Sequence, residues 1–143
     1  LDSTWRVGTS QLYALLKRLE QRGQLQSNIE TQDTRPSKRV FSLTEAGRKT
    51  FLEWLRSPTT QIRHFRWEFI SKLFFFHTLS LEGGPELVES QILVMKTQRE
   101  KIGEKERDEK DPFRKLVYGF KLGTLESYLQ WLSERAAVFV KKG

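Results

Sequence analysis

The chain has 143 residues, of which 30% are charged and 37% are hydrophobic, and its net charge is +7 at pH 7. This length fits one domain or two small ones, and the positive charge suits a polyanionic partner. No apolar run approaches the roughly 20 residues that a membrane-spanning helix needs, and the absence of cysteine excludes disulfides and thiolate metal sites.

The first predicted element is a helix over residues 9–22, which Gly23 ends, as a glycine commonly does at this position. One face should be buried because its leucines recur at i, i+3, i+4 and i+7; they are Leu12, Leu15, Leu16 and Leu19. The opposite face is short, basic and rich in hydrogen-bonding groups, which is typical of a DNA recognition helix. It carries Ser10, Ala14, Lys17 and Gln21, flanked by Tyr13 and Arg18.

A β-hairpin is predicted next. Residues 25–30 and 39–43 alternate between polar and apolar side chains, and the polar turn 31–38 between them contains Pro36. Thr44 then caps a new helix that runs to about Ser57. A helix followed by a hairpin with a basic tip matches a winged helix-turn-helix, in which the wing contacts phosphate beside the major groove. The basic residues of the predicted tip are Arg35, Lys38 and Arg39.

The remaining elements are predicted to be helices, after a linker over residues 59–64. A helix over residues 65–81 is crowded with aromatic side chains and should be buried on more than one side. A longer helix, 86–110, has a thin apolar seam of the coiled-coil kind, formed by Val88, Gln91, Met95, Gln98 and Ile102. Its charged end, 99–110, is either a second DNA contact or a solvated helix end, and the near balance of opposite charges favours the latter.

The last predicted helix spans residues 113–141 and has two faces of different character. Leucines form its main apolar stripe, at Leu122, Leu125, Leu129 and Leu132. Small residues interrupt the second face, so that another helix could approach it closely; this face carries Leu116, Phe120, Gly123, Ser127, Gln130 and Trp131.

Several of these segments together resemble the PadR family of bacterial transcriptional regulators. The matching residues are 10–13, 16–20, the Arg-Pro-Ser-Lys-Arg wing at 35–39, and 43–47. Residues 66–75, 112–113, 123–126 and 131–132 resemble the C-terminal dimerisation domain that the family shares with AphA-type activators. The resemblance implies a mainly α protein with a winged-helix domain at 1–58 and a helical dimerisation domain at 59–143. Family members have one or two helices before the recognition helix, so we expect that these are missing from this sequence.

The expected function is that of a DNA-binding regulator, a repressor that binds a palindromic operator as a homodimer in the bacterial cytoplasm and nucleoid. One module reads few base pairs, and the C-terminal helices carry more apolar surface than one chain of this size should expose. The alternative is a protein-interaction or hydrophobic-ligand-binding module without specific DNA binding. An enzyme is not expected, because no nucleophile with its base is recognisable, and Gly83-Gly84-Pro85 is a helix break rather than a phosphate loop. No cofactor is expected.

The resemblance and the helical geometry together assign the DNA-binding residues. Gln11 and Lys17 should read bases, because amide and ammonium groups match adenine and guanine edges, and Ser10 and Ala14 should face the groove beside them. Tyr13 is expected to bond a phosphate, or else to be a core aromatic. The cationic candidates for the DNA backbone are Arg18, which could instead pair with Glu20 or Glu45, and the wing residues Arg35, Lys38 and Arg39.

The family includes sensors of phenolic acids and of flat hydrophobic drugs, so the resemblance also implies a small aromatic effector. Trp67, Phe74 and Trp131 are the candidates for binding it, and the alternative is that these side chains are part of the core. A metal site is not expected, because His64 and His77 are the only histidines and neither lies near a cluster of carboxylates.

Overall fold

The computed structural model describes residues 8–31 and 37–142, without the side chain of Lys142. The prediction of a mainly helical chain with one β-hairpin is confirmed. By its contacts the chain divides into an N-terminal unit, Leu1–Trp54, and a C-terminal unit, Leu55–Gly143. The described elements are α1 (Thr9–Gln21), β1 (Leu25–Glu30), β2 (Lys38–Leu43), α2 (Glu45–Arg56), α3 (Ile62–Thr78), α4 (Gly84–Asp108), α5 (Pro112–Trp131), a π-helical turn (Leu132–Ala136) and α6 (Ala137–Lys142).

Helix α1 ends where the sequence predicts. Gly23 has a φ of 69°, a backbone conformation that glycine adopts without steric cost. Its N–H donates to Glu20 O at 2.9 Å and the N–H of Gln24 donates to Leu19 O at 2.9 Å. These two bonds satisfy carbonyls that would otherwise be unpaired at the end of the helix.

Strands β1 and β2 pair antiparallel, with Leu25 opposite Leu43 and Glu30 opposite Lys38. The second strand begins at Lys38, one residue earlier than predicted. Lys38 and Arg39 therefore lie in the strand and not in the turn at the tip of the wing, because Lys38 continues the pairing of the two strands. Arg35 lies outside the described residues, so its predicted place at the tip stays a prediction.

Thr44 caps α2 as predicted and also ties it to the end of α1. Its hydroxyl accepts the N–H of Gly47 at 3.0 Å and donates to Gly23 O at 2.6 Å. Gly47 lies so close to the Gln24 backbone that a β-carbon placed there would be only 2.0 Å from Gln24 O. The start of α2 therefore packs directly on the chain that leaves α1.

The predicted burial of the leucine face of α1 is only partly observed. Leu12 and Leu15 are 46% and 47% exposed, and Leu16 and Leu19 are half-buried. No residue of α1 is buried. The pattern identifies the right face, but α1 packs mainly against β1, and a single helix on a two-stranded hairpin cannot enclose four leucines.

The core of the C-terminal unit is formed by side chains of α3, α4, α5 and the π-helical turn. Fully or nearly fully buried are Phe65, Phe69, Leu73 and Phe76 of α3, Leu87, Val88 and Met95 of α4, and Leu125, Leu129, Leu132 and Ala136. Val88, Gln91 and Met95, which were predicted to form a coiled-coil seam, are thus buried within this chain. The predicted last helix is interrupted by the π-helical turn.

The predicted linker 59–64 is wrong. Thr59 is 1% exposed and α3 begins at Ile62, three residues before the predicted start. Two buried polar side chains hold the segment that precedes α3: Lys72 Nζ donates to Ser57 O at 2.7 Å, and the amide of Gln91 bonds Thr59. Within the described residues, no helix has the length and apolar character that a membrane span requires.

Candidate nucleic-acid interface

The predicted DNA-facing residues of α1 form one continuous exposed surface. At about 100° per residue they occupy an arc of roughly 160°, and the leucines occupy the opposite side. Tyr13 is 61% exposed, and the others are exposed as well. We call this surface the α1 polar face; it consists of Ser10, Gln11, Tyr13, Ala14, Lys17 and Arg18.

The cations of the α1 polar face are available to a partner. In the part of the chain that the structure describes, neither Lys17 nor Arg18 has a carboxylate within ion-pair distance. The suggested pairing of Arg18 with Glu20 is wrong, because residues two apart on a helix do not face each other. Glu20 pairs with Arg39 instead, at 2.8 Å.

Lys38, the first residue of β2, lies at the end of the described wing. Its ammonium is 2.9 Å from the carboxylate of Glu30, directly opposite on β1. Both side chains are more than half exposed, at 55% and 53%. An exposed pair of this kind contributes little free energy, so a phosphate could compete for Lys38.

Arg39 is in a different situation, because its guanidinium is hydrogen-bonded to other residues of the N-terminal unit although its side chain is 51% exposed. Nη2 donates to both carboxylate oxygens of Glu20, at 2.8 and 3.0 Å, and Nε donates to Ser27 Oγ at 2.8 Å. The Ser27 hydroxyl donates to Glu20 Oε1 at 2.5 Å. The guanidinium also lies over the ring of Phe41, 5.2 Å from its centroid. Glu20, Ser27 and Arg39 therefore form one closed polar cluster.

The cluster lowers the pKa of the Glu20 carboxyl. The hydrogen bond from Ser27 and the positive charge of Arg39 hold the pKa of the Glu20 carboxyl below its usual value of 4.5. Sequence reasoning missed this cluster, because the cluster depends on the pairing of the two strands, which the strand pattern does not give. Ser27 and Arg39 share one face of the hairpin, since Ser27 pairs with Phe41 and Arg39 with Ile29.

The structure does not bring the three effector candidates together. Trp131 contacts Phe65 and Phe69 edge-on, with ring centroids 6.2 and 6.4 Å apart. Trp67 and Phe74 lie seven residues apart on α3, on the side opposite Phe65 and Phe69. Trp67 is 41% exposed, and its ring lies 4.5 Å from the Arg66 guanidinium. A ligand in contact with Trp67 and Phe74 would thus lie across α3 from Trp131.

Metal-ligating groups are not concentrated anywhere in residues 8–31 and 37–142, where no three histidine, aspartate or glutamate side chains are grouped as a metal ion would need.

Comparison with known proteins gives a consistent result. Residues 1–53 match the family model of the transcriptional regulator PadR-like family. The negative transcriptional regulator PadR of Bacillus subtilis (strain 168) is 27% identical over 92 residues, 64% of this chain. The chain thus spans half the length of this curated relative.

Solved structures of the same Bacillus subtilis protein are also similar. Its complex with operator DNA is 23% identical, with 96% of this chain and 82% of that chain covered and a TM-score of 0.44. Its complex with p-coumaric acid is 24% identical, with 97% and 82% covered and a TM-score of 0.44. The first 53 residues of the chain are therefore similar to a family of transcriptional regulators, in agreement with the resemblance noted in the sequence.

Proposed function

We propose that this protein is a repressor that binds a palindromic operator as a homodimer. The observation that carries the proposal is the α1 polar face, which is exposed and basic, has no ion-pair partner among the described residues, and lies next to a hairpin that presents Lys38. The name of the Bacillus subtilis relative, a negative regulator, supports repression. DNA as the target implies a cytoplasmic, nucleoid-associated protein, with DNA binding assigned to residues 1–58 and dimerisation to 59–143.

The chemistry of the α1 polar face suggests a role for each side chain. Gln11 can bond adenine with its amide and Lys17 can donate to guanine, while Ser10 and Ala14 are small enough to let α1 approach the bases. Tyr13 and Arg18 flank the face, where they would meet phosphates.

The wing candidates divide into two groups. Lys38 would contact phosphate from the wing. Arg39 is a weaker candidate for DNA contact than its charge suggests, because Glu20 and Ser27 already accept its hydrogen bonds.

An apolar stripe on α5 supports the homodimer. Phe113, Leu116 and Phe120 are 71%, 69% and 76% exposed, and their spacing of three and four residues places them on one side of the helix. The exposed Gly123 continues this side and would allow a second helix to approach closely. The same stripe on two copies would form a self-complementary twofold contact that removes these side chains from water.

DNA recognition is tested by selecting bound fragments from a random-sequence pool at near-physiological salt. We expect an inverted repeat whose half-sites lie about one helical turn apart. Lys17→Ala should relax the base preference within each half-site, whereas Lys38→Ala should lower the slope of log affinity against log salt by about one. Lys49→Ala, an exposed lysine of α2 outside the α1 polar face, is the matched control. Recovery of no common sequence, with equal effects of all three variants, would contradict the proposal and favour an interaction module.

The dimer is tested by sedimentation of Phe120→Glu against Leu79→Glu, a leucine that is 51% exposed at the end of α3. We expect a dimer for the wild type and for Leu79→Glu. Phe120→Glu should be a folded monomer, because a carboxylate in the α5 stripe would be buried without a partner. A dimer that withstands Phe120→Glu would place the interface elsewhere.

The proposal also includes a small aromatic effector. Trp67 and Phe74 offer a ligand two aromatic side chains on one side of α3, and Trp67 is partly exposed. Titration of the tryptophan fluorescence with a panel of phenolic acids, in the wild type and in Trp67→Leu, tests this site. A ligand that quenches both proteins equally, or that leaves operator affinity unchanged, would exclude Trp67 as the effector contact.

A further inference from the structure

We infer that Glu20 is a positioning residue for the wing, and that Arg39 serves to hold the wing on α1 rather than to bind DNA. This inference rests on the proposed DNA-binding function, because it assigns how the wing is oriented for that function. It concerns residues of the N-terminal unit alone.

The first argument is the geometry of the cluster. Glu20 lies in the last turn of α1, Ser27 in β1 and Arg39 in β2, so the cluster joins three elements. Both carboxylate oxygens of Glu20 accept hydrogen bonds, and the Ser27 hydroxyl both donates and accepts. Contacts of one guanidinium with both oxygens of a carboxylate restrict orientation as well as distance.

The second argument is that the hairpin needs such a support. A two-stranded hairpin is at best marginally stable on its own in water, and the leucines of α1 that face it are only partly buried. A charged, hydrogen-bonded contact at the end of α1 therefore adds a directional link between the hairpin and α1. Ring contact with Phe41 further restricts the Arg39 guanidinium.

The third argument is the contrast with Glu30, the acidic residue of the other described ion pair on the hairpin. The Glu30–Lys38 pair joins only β1 to β2, and both side chains are more than half exposed. Glu20 is 28% exposed, its partner Arg39 is 51% exposed, and this pair connects the hairpin to a different element. The two glutamates carry the same charge in the same unit, but only one of them links the wing to α1.

The pair Glu20→Gln and Glu30→Gln separates positioning from charge. Each substitution removes one negative charge beside the DNA-binding residues, so charge alone predicts tighter DNA binding for both. Positioning predicts that Glu20→Gln instead weakens operator binding by about threefold, the size expected for the loss of a partly exposed ion pair. Glu30→Gln should bind equally well or slightly tighter, because Lys38 becomes free for phosphate.

Hydrogen exchange provides a readout that requires no DNA. Amides of β1 and β2 should exchange about threefold faster in Glu20→Gln than in the wild type or in Glu30→Gln, because the folded hairpin loses a partly exposed ion pair to α1. Amides of α4 and α5 should exchange at the same rate in all three proteins, which shows that the C-terminal unit is intact. Arg39→Gln should reproduce the effect, and the double variant Glu20→Gln/Arg39→Gln should be no worse than either single variant, because both remove the same contact.

The outcomes separate this inference from the proposed function. If the wild type selects no DNA sequence, the function fails, but the exchange experiment still decides the role of Glu20. If Glu20→Gln and Glu30→Gln tighten DNA binding equally and hairpin exchange is the same in both, Glu20 acts only as a charge and the inference is wrong. An Arg39→Gln variant with a lower salt slope and unchanged hairpin exchange would also overturn it, since Arg39 would then be a phosphate contact.

Discussion

The side chain of Gln91 hydrogen-bonds both backbone groups of Thr59, 32 residues away in the sequence. The N–H of Thr59 donates to Gln91 Oε1 at 2.6 Å, and Gln91 Nε2 donates to Thr59 O at 2.9 Å. Both residues are almost completely buried, at 0% and 1% exposure. The segment between α2 and α3 lies outside regular secondary structure, and buried backbone groups without partners are costly. The side-chain amide of Gln91 on α4 therefore supplies the hydrogen-bond acceptor and donor that the backbone of a neighbouring strand would supply in a sheet.

Gln91→Leu should destabilise the protein strongly. Leucine has a similar volume but cannot bond either group of Thr59, so a buried donor and a buried acceptor would remain unpaired. We expect the free energy of unfolding to fall by about 2–4 kcal/mol, measured by urea denaturation. Gln130→Leu is the control, because Gln130 is exposed and bonds only Glu134 of the next turn; its change should stay within about 0.5 kcal/mol. Equal changes in the two variants would show that the Gln91 contacts contribute nothing specific.

The effects of Glu68→Ala and Lys72→Met on the free energy of unfolding should not be additive. Lys72 is fully buried, and its ammonium lies 2.8 Å from Glu68, whose side chain is 29% exposed. Glu68→Ala alone leaves the buried ammonium without its carboxylate, and we expect a loss of about 2 kcal/mol, less than for a fully buried pair. Methionine at position 72 removes that charge, so the double variant should regain part of the loss even though Ser57 O loses its donor. Urea denaturation of the full set measures the coupling, and strict additivity would contradict this account.

Gly47→Ala should strongly destabilise the folded protein, whereas Gly103→Ala should leave its stability unchanged or raise it. A β-carbon on Gly47 would lie 2.0 Å from the backbone oxygen of Gln24, so α2 would have to move away from the end of α1. We expect a loss of about 3 kcal/mol or more. Gly103 lies within α4 and a β-carbon there meets nothing within 4 Å, so alanine should gain up to about 1 kcal/mol through its higher helix propensity. Thermal unfolding of the two variants gives the comparison, and losses of similar size would refute the steric explanation.

Local signals in the sequence predicted much of the N-terminal unit. Gly23 and Thr44 act within a few residues of their own position, so the end of α1 and the start of α2 follow from short-range chemistry. The register of β1 and β2 is harder to predict from the sequence, because a strand pattern indicates which side chains share a face but not which residues lie opposite each other. The Glu20–Ser27–Arg39 cluster depends on that register, and this is why Arg39 was interpreted as a free cation.

The C-terminal unit shows a second reason why the structure differs from the sequence predictions. Gln91 was predicted to lie in the apolar seam of its helix but without a hydrogen-bond partner, and Lys72 in an aromatic helix looks like a solvated position, because polar side chains are usually exposed. Their hydrogen-bond partners are Thr59, which was predicted to lie in a linker, and Ser57, which was predicted to end the preceding helix. Hydrophobic periodicity identified the buried faces of α4 and α5, but it cannot identify the partner of a buried polar group.

Lowering the pH should weaken the contact between the wing and α1, because the Glu20 carboxylate that forms this contact becomes protonated. The pKa of Glu20 is lowered in the folded protein, mainly by the hydrogen bond from Ser27 and also by Arg39. A carboxyl group with a lowered pKa stabilises the folded state above its unfolded pKa, and this contribution is lost as the pH falls through the folded pKa. Hydrogen exchange of the β1 and β2 amides should therefore differ between the wild type and Glu20→Gln at pH 7, and the difference should shrink as the pH is lowered below 4.5. After correction for the intrinsic exchange rate, a difference that persists once the Glu20 carboxyl is protonated, as followed by its own NMR titration, would show that the glutamine acts through its shape and not through the lost charge.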